Sequence, residues 1–477
     1  MNGPVSRRAL AIGLCTVVVA VAFESIAVAT AMPAAAQDLN GISVYAWAFS
    51  LFLIGMLLAT VVAGRLCDRI GPVRPFLGGV LIFATGLVVA ATAETMAQLV
   101  GARLVQGLGG GVMNVATFVC IAQAFDERSR PRMFSYISTA WVVPSFVGPP
   151  ISAWLTHQLS WHWVFWSVLP LVGIGTAIVL PSLLRLHRSR VAEPRPESSE
   201  GQQENRPAPL WAAGVVALAA AAIQLAGQRL DLIAVGLAVA GLVGLAIALP
   251  PLMPPGFLRL RRGLPMVIMS RALLPGAFFG AEVFVPLMLV EQRGIPLLLA
   301  GAVLTCGAVG WTTGAWIQSR DRIELPRSRL ILIGTCCVTA GLVLVAATAL
   351  LPWLWVGLVA VGWVIGGFGM GLGIASTSIA AMSLAPDDQQ GRIASSLQLG
   401  DSLGAALFAG VSGSIFAALH GTGDQVLTFG AVMTAMVAVG LLGVGAASRI
   451  SAGRALKDPD LPSGAQARTR LRCRRRP

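Results

Sequence analysis

The feature that most constrains this chain is a series of apolar segments, each about 20 residues long, that recurs along the sequence. A helix of roughly 20 apolar residues is long enough to cross the hydrocarbon core of a bilayer. Lipid offers no hydrogen bonds, so each spanning segment must satisfy its backbone internally, as a helix does. Charged residues make up only 12% of the 477 residues, about half the share found in soluble domains. The sequence therefore predicts an all-α polytopic membrane protein.

Fourteen segments of this kind, separated by loop signals, are predicted as transmembrane helices. They cover residues 9–31, 43–63, 76–93, 97–122, 133–156, 163–184, 210–228, 231–249, 265–290, 296–318, 329–350, 353–383, 393–418 and 426–448.

The distribution of basic residues supports this count and gives an orientation. With both termini in the cytoplasm, 30 of the 34 Lys and Arg residues fall in inner loops or termini. Arg103 and Arg271 lie within helices, and only Arg229 and Arg293 fall on the outer side. Inner loops of membrane proteins are enriched in positive charge. We therefore expect a multi-pass protein with cytoplasmic termini, and the net charge of +13 requires no nucleic-acid partner.

A weak internal repeat predicts the domain organisation. The glycine clusters "GLGGG" at 107–111 and "GFGMG" at 367–371 are separated by 260 residues, and internal repeats are typical of secondary transporters. The predicted parts are an N-terminal six-helix half (1–184), a cytoplasmic linker (185–209), two inserted helices (210–249), a C-terminal six-helix half (265–448) and a basic cytoplasmic tail (449–477).

Five ionisable residues interrupt the predicted helices: Glu24, Arg103, Arg271, Glu282 and Asp401. Each charged side chain costs about 2.5–3.5 kcal/mol at the centre of a bilayer, so such residues face the bundle interior or a wet cavity. Glu24, Arg103, Glu282 and Asp401 are the candidates for proton coupling. The alternatives are that Glu24 and Arg103 form a fixed pair that holds helices together, and that Asp401 makes a structural contact with Arg271.

The stretch "GRLCDRIGPVRPFL" at 64–77, here named the latch loop, combines glycines, prolines and charges between two apolar segments. Its pattern Gly64-x-x-x-Asp68-Arg69-x-Gly71 resembles the signature loop of the major facilitator superfamily. The resemblance implies a loop that latches the inward-closed, outward-facing state, with Asp68 docking near residues 388–394. The basic residues usual after the second glycine are missing, because Pro72–Pro75 stands there.

Other motifs resemble the fourteen-helix drug:proton antiporters of that superfamily. "RLVQGLGGG" is similar to the helix-4 motif, with Arg103, Gln106 and Gly107 in register, and "WHWVFWSVLP" at 161–170 is similar to the helix-6 motif. "FESIAVATAMP" is similar to the helix-1 motif. The helix-5 motif keeps only Gly148 and Pro149, and its other glycines are replaced by Pro144, Ser152 and Ala153. The resemblance implies the major facilitator fold: two six-helix halves plus two extra central helices.

The function implied is proton-coupled efflux of small amphipathic or drug-like molecules by alternating access, as in multidrug resistance. Trp311 and Trp363 are candidates for the substrate cavity, since tryptophan rings stack on aromatic or cationic molecules; the alternative is that these rings pack in the core. Two alternatives stay open: proton-coupled or facilitative uptake of a small solute, and a non-transporting receptor or scaffold on a transporter fold.

The sequence shows no Ser/His/Asp set, phosphate loop or metal-ligand cluster. We therefore expect no enzyme, no metal and no cofactor. The expected partners are a small-molecule substrate, protons and the lipid bilayer, with the protein as a monomer in a bacterial plasma membrane.

Overall fold

The computed structural model describes residues 7–125, 130–192, 210–227, 232–319, 325–384 and 390–450, and there it is helical throughout, without strands. Its fifteen α-helices are α1 Arg7–Asp38, α2 Trp47–Ile70, α3 Val73–Ala91, α4 Met96–Ala124, α5 Arg130–Gln158, α6 His162–Ala192, α7 Leu210–Ala226, α8 Leu232–Ala248, α9 Leu264–Glu282, α10 Val285–Glu291, α11 Leu297–Gln318, α12 Arg327–Leu350, α13 Gly357–Leu384, α14 Gln390–His420 and α15 Gln425–Ile450.

These helices correspond to the fourteen predicted segments, because α9 and α10 together form one crossing, Leu264–Glu291. Eleven segments in the described part of the chain are long and apolar enough to span a membrane. The other three are α5 and the apolar helices α7 and α8, which have 17 residues each. The predicted all-helical membrane fold is confirmed.

The packing of α1–α6 is repeated by α9–α15. In the first group α1 packs against α5 and α6, and α4 packs against α2 and α3. In the second group α9 packs against α14 and α15, and α13 packs against α11 and α12. Across the two groups, α2 contacts α14 and α5 contacts α11. The second helix of each group thus meets the fifth helix of the other, as expected for two related halves.

The two glycine clusters play the same part in both groups. A Cβ atom at Gly107 of α4 would overlap the backbone of Phe52 in α2, and one at Gly367 of α13 would overlap Gly307 in α11. Gly111 and Gly371, the next equivalent pair, likewise touch α2 and α11. Glycine lets helix backbones approach closely. The repeat seen in the sequence therefore reflects two equivalent helix crossings.

The inserted helices α7 and α8 pack on each other, and α7 also contacts α2 and α14. They therefore cover one of the two places where the halves meet. The other place, α5 against α11, has no such cover among the packed helix pairs of the described residues.

The latch loop is shorter than predicted. Helix α2 continues to Ile70, so Gly64 and Arg69 are helical, and only Gly71 and Pro72 separate it from α3. Gly71 ends α2 with φ 79°, and its N–H donates to the Cys67 carbonyl at 3.0 Å. This left-handed conformation favours glycine, whereas Gly64 costs a helix only about 1 kcal/mol. The one required turn is therefore at Gly71.

Other ends also differ from the predicted segments. Helix α6 continues to Ala192, into the predicted linker. The rest of that linker (193–209) and the tail from 451 lie outside the described residues. Helix α1 runs through Pro33 to Asp38, because neighbouring helices can compensate for a proline within a membrane bundle.

Arg293 follows α10 and has a local structural use. Its guanidinium donates to carbonyls at the end of α12, including Pro352 O at 2.5 Å and Leu351 O at 3.2 Å. A cation at a helix C-terminus satisfies free carbonyls and interacts favourably with the helix dipole. This contact gives Arg293 a structural role at the end of α12.

Candidate functional site

Glu24 and Arg103 form a buried ion pair between α1 and α4. Glu24 is 0% exposed and Arg103 is 2% exposed, and Arg103 Nη1 donates to Glu24 Oε1. The guanidinium also donates to Ala48 O at 3.0 Å and to Gln106 Oε1 at 2.5 Å. It lies over the ring of Phe52, 4.3 Å from the centroid. Burial of these charges is thus compensated by a nearly complete set of contacts on the arginine.

The carboxylate of this pair is less well satisfied than the guanidinium. Glu24 Oε2 is buried without a hydrogen-bond partner, and so is Gln106 Nε2. An unpaired buried acceptor is costly. The unsatisfied polar atoms at this ion pair are therefore those of Glu24 and Gln106, and not those of the guanidinium.

A second ion pair links α9 to α14. Arg271 Nε donates to Asp401 Oδ1 and Nη2 donates to Asp401 Oδ2, both at 2.6 Å. Its Nη1 also donates to Thr377 Oγ1 at 3.1 Å and Ser378 Oγ at 3.0 Å on α13. Such a bidentate pair is the strongest geometry for an arginine and a carboxylate. Arg271 therefore links α9 to α14 through Asp401, and to α13 through Thr377 and Ser378.

Two adjoining cavities of about 370 and 270 Å³ lie between the halves. Both linings include Ile26 on α1 and Phe279 and Glu282 on α9. The smaller cavity also reaches Arg103 and Asp401. Arg103, Glu282 and Asp401 therefore share one cavity, whereas Glu24 lies behind Arg103 and does not line it.

Aromatic side chains form one wall of the larger cavity. Trp363 stacks on Phe278 with 4.6 Å between ring centroids, and Trp311 lies edge-on to Phe278 at 6.3 Å. Glu282 lines the same cavity. The structure thus brings both predicted cavity tryptophans to one place, next to a carboxylate. An aromatic wall with one carboxylate can accept an apolar ring and stabilise a positive charge.

Glu282 differs from the other two acidic residues because it lacks a partner. Among the described residues it makes no ion pair or hydrogen bond. Glu24 and Asp401 are each held by an arginine. Of the three carboxylates, Glu282 is therefore the one free to exchange its proton or to meet a ligand.

Comparison with known families decides what this arrangement belongs to. The model of the Major Facilitator Superfamily matches residues 12–409, which includes both halves' cavity residues. The chain belongs to the major facilitator superfamily.

The relatives of this facilitator include multidrug transporters. Identity is 31% over 181 residues with the "MFS-type transporter ppz2" of Metarhizium majus, covering 38% of this chain and 31% of the relative. It is 25% with the "Multidrug transporter protein MdtP" of Bacillus subtilis, covering 88% and 77%. It is 21% with the "Multidrug efflux pump SdrM" of Staphylococcus aureus, covering 88% and 92%. The chain thus matches about a third of the length of the first relative and most of the other two.

A solved structure shows the same fold. The facilitator aligns with a "POT family transporter in complex with 5-aminolevulinic acid" at a TM-score of 0.68 and 15% identity, covering 93% of this chain and 97% of that one. Identity this low shows a common fold and nothing about the substrate.

The partial helix-5 motif of this facilitator lies where three helices meet. A Cβ atom at Gly148 would lie 3.4 Å from Ile26 of α1, and one at Gly301 of α11 would lie 3.3 Å from Pro149. Ser152, which stands in place of a motif glycine, donates to Ala27 O at 2.6 Å. The serine at this position thus adds a hydrogen bond between α5 and α1 that a glycine could not make.

The predicted latch contact lies outside the described residues. The structure describes the backbone at Asp68 but not the Asp68 side chain, and it describes only part of the docking region 388–394. The role of Gly64, Asp68, Arg69 and Gly71 therefore remains a prediction from the family motif.

Several residues of the site were not found from the sequence. Phe52, Phe278 and Phe279 were indistinguishable from core phenylalanines, because packing and cavity lining use the same residue type. Tyr45 offered a signal in the sequence, since the chain has only two tyrosines and this one lies in an apolar segment; the structure buries it completely. A buried tyrosine in an apolar segment usually needs a partner for its hydroxyl.

Proposed function

We propose that this facilitator is a secondary active transporter that exports small amphipathic molecules, aromatic cations among them, in exchange for protons. The observation that supports the proposal most directly is the unpartnered carboxylate of Glu282 beside the aromatic wall of Trp311 and Trp363. A proton and a cationic substrate compete for one carboxylate. Export of the substrate and entry of a proton are then coupled, because Glu282 holds one of them at a time.

Alternating access requires the two halves to move relative to each other. In this proposal residues 1–184 and 265–448 rock as units about the contacts α2·α14 and α5·α11. The linker 185–209 and the pair 210–249 allow the motion, and both termini, with the basic tail 449–477, stay in the cytoplasm of a bacterial cell. The latch loop then secures the inward-closed state through Asp68.

The ion pairs have supporting roles in this mechanism. Arg103 lines the cavity while it holds Glu24, so a change of charge at Glu282 alters the field at the pair. Asp401 reaches the cavity with a side chain that is 20% exposed, so its pair with Arg271 adds a second polar contact for substrate. Proton coupling by Glu24 and Asp401 requires these pairs to open, whereas Glu282 requires no contact to be broken.

The test is dye accumulation in cells that express the wild type or Glu282→Gln, with and without an uncoupler. We expect the wild type to lower accumulation only while the proton gradient stands, and Glu282→Gln to lose this effect. Glu94→Gln, an exposed carboxylate on the surface, is the matched control and should behave as the wild type.

The other outcomes separate the alternatives. Higher accumulation in expressing cells indicates uptake, and no difference in either condition indicates a receptor or scaffold. Gradient-dependent efflux that survives in Glu282→Gln would refute the role of Glu282.

A further inference from the structure

Helix α9 breaks at the residue that follows Glu282. Helix α9 ends at Glu282 and α10 begins at Val285, with Pro286 in its first turn. A proline lacks the N–H that a helix needs and clashes with the residue four positions earlier, which is Glu282. The backbone ladder of α10 starts when Met288 N–H donates to Phe284 O. The carbonyl of Val283 therefore lies in the gap between two helices.

A tyrosine of the other half fills this gap. The hydroxyl of Tyr45, two residues before α2 begins, donates to Val283 O at 2.8 Å, and both partners are buried. The ring of Tyr45 also packs on Phe284, with 5.4 Å between centroids. This is a hydrogen bond between the halves, made to the residue directly after the free carboxylate.

From this geometry we infer that Tyr45 is a positioning residue for Glu282: its hydrogen bond to the Val283 carbonyl holds the broken end of α9 so that the carboxylate faces the cavity. The inference rests on the proposed function, since it assigns Glu282 a role in transport. Val283 itself lines the smaller cavity with Glu282. A change in the backbone at Val283 therefore moves both residues together.

On its far side the break packs on aromatic side chains of the second half. The ring of Phe284 lies 4.9 Å from that of Phe416 on α14, and Phe416 lies 5.7 Å from Phe429 on α15. These contacts move with the second half when the halves rock. The Tyr45 hydroxyl is one polar contact across the halves at this end, together with the hydrogen bond between Glu291 of α10 and Gln37 of α1, and it must break or slide when this end of the cavity opens.

Other charged groups near this site must be separated from Glu282. Arg103 of α4 and Asp401 of α14 line the same cavity, and Asp401 is held by Arg271. Glu291 of α10 interacts with Tyr45, and also with His420 of α14. Arg327 and Arg329 lie in the first turn of α12 and Arg449 in the last turn of α15, whereas Arg293, just after α10, donates to carbonyls at the other end of α12. Helix α13 carries no ionisable residue between Gly357 and Leu384.

The first test measures the pH profile of efflux in proteoliposomes. We expect Tyr45→Phe, which removes only the hydroxyl, to shift the pH midpoint by about half a unit, roughly a threefold change in the proton concentration required. Tyr136→Phe is the matched control, because Tyr136 is 57% exposed, and it should leave the midpoint unchanged. A Tyr45→Phe protein that is active with the wild-type midpoint would overturn the inference.

A second measurement does not require Tyr45→Phe to fold. With 3-fluorotyrosine incorporated into a Tyr136→Phe background, the single fluorine label reports on Tyr45 alone. We expect its ¹⁹F signal to titrate with the midpoint of efflux, to stop titrating in Glu282→Gln, and to persist in Glu291→Gln. A signal that does not titrate, or one abolished by Glu291→Gln and not by Glu282→Gln, would overturn it.

The two proposals fail in different ways. If efflux in Glu282→Gln keeps its pH dependence, the coupling role of Glu282 is wrong. If Glu282→Gln loses that dependence, but Tyr45→Phe keeps the wild-type pH midpoint and the ¹⁹F signal of Tyr45 does not titrate, then Glu282 couples transport without help from Tyr45.

Discussion

Removing the charge of Glu24 should destabilise the protein more than removing its partner Arg103. In Glu24→Gln, Arg103 stays buried at 2% exposure and keeps only neutral acceptors, Ala48 O and Gln106 Oε1. An arginine cannot lose its proton in a protein, so the charge remains uncompensated. Breaking one partner of a buried pair costs about 3–5 kcal/mol. Arg103→Met should be milder, because the stranded Glu24 can take up a proton.

The double variant Glu24→Leu/Arg103→Leu distinguishes a charge effect from a packing effect. Replacing a whole buried pair by apolar residues of similar volume is often neutral or stabilising. We therefore expect its stability to return to within about 1 kcal/mol of the wild type, although its transport should be lost.

Thermal unfolding followed by a thiol-reactive dye measures these differences. Cys67 and Cys120 are 1% and 0% exposed, so they react when the first half opens. Domains of 150–250 residues shift by about 2–4 °C per kcal/mol, and the shift falls with size. For this longer chain we expect Glu24→Gln to melt on the order of 5 °C lower. An unchanged melting temperature, or a double variant as unstable as Glu24→Gln, would refute the reasoning.

Two further predictions concern packing and the second ion pair. Gly107→Ala should abolish folding, because its Cβ would overlap the Phe52 backbone. The yield of monodisperse protein measures this. The control Gly101→Ala has open space around it and should leave the yield unchanged; equal yields for the two variants would contradict the prediction. Arg271→Lys should lose about 1–3 kcal/mol of stability in thermal unfolding, because lysine cannot make the bidentate contact with Asp401. If Asp401→Asn proved less destabilising than Arg271→Lys, the prediction would be wrong.

Much of the fold was accessible from the sequence because its main determinants are local. Each apolar segment must be a helix in lipid, whatever its neighbours are. The two glycine clusters could be matched by their spacing alone, and they mark equivalent helix crossings. The predicted latch loop was longer than the observed one. A glycine such as Gly64 weakens a helix without ending it, whereas the positive φ of Gly71 ends α2.

Two prolines in the ninth predicted segment show what cannot be predicted from local sequence. Pro275 and Pro286 both lie in the predicted segment 265–290, yet α9 continues through Pro275 and breaks near Pro286. A proline disrupts a helix equally in both places. The surroundings differ: at the second site the Tyr45 hydroxyl, which is distant in sequence, donates to the Val283 carbonyl in the gap between the two helices.

By itself the sequence determined that this chain is a helical membrane protein with two related halves, because length, apolarity and glycine spacing are properties of the chain. It also determined which residues carry costly charges in the bilayer. Only the tertiary structure decided which of those charges are neutralised. Arg103 holds Glu24, Arg271 holds Asp401, and Glu282 is left free beside Trp311, because partners are chosen by helix packing, which brings together residues as far apart in sequence as Tyr45 and Val283.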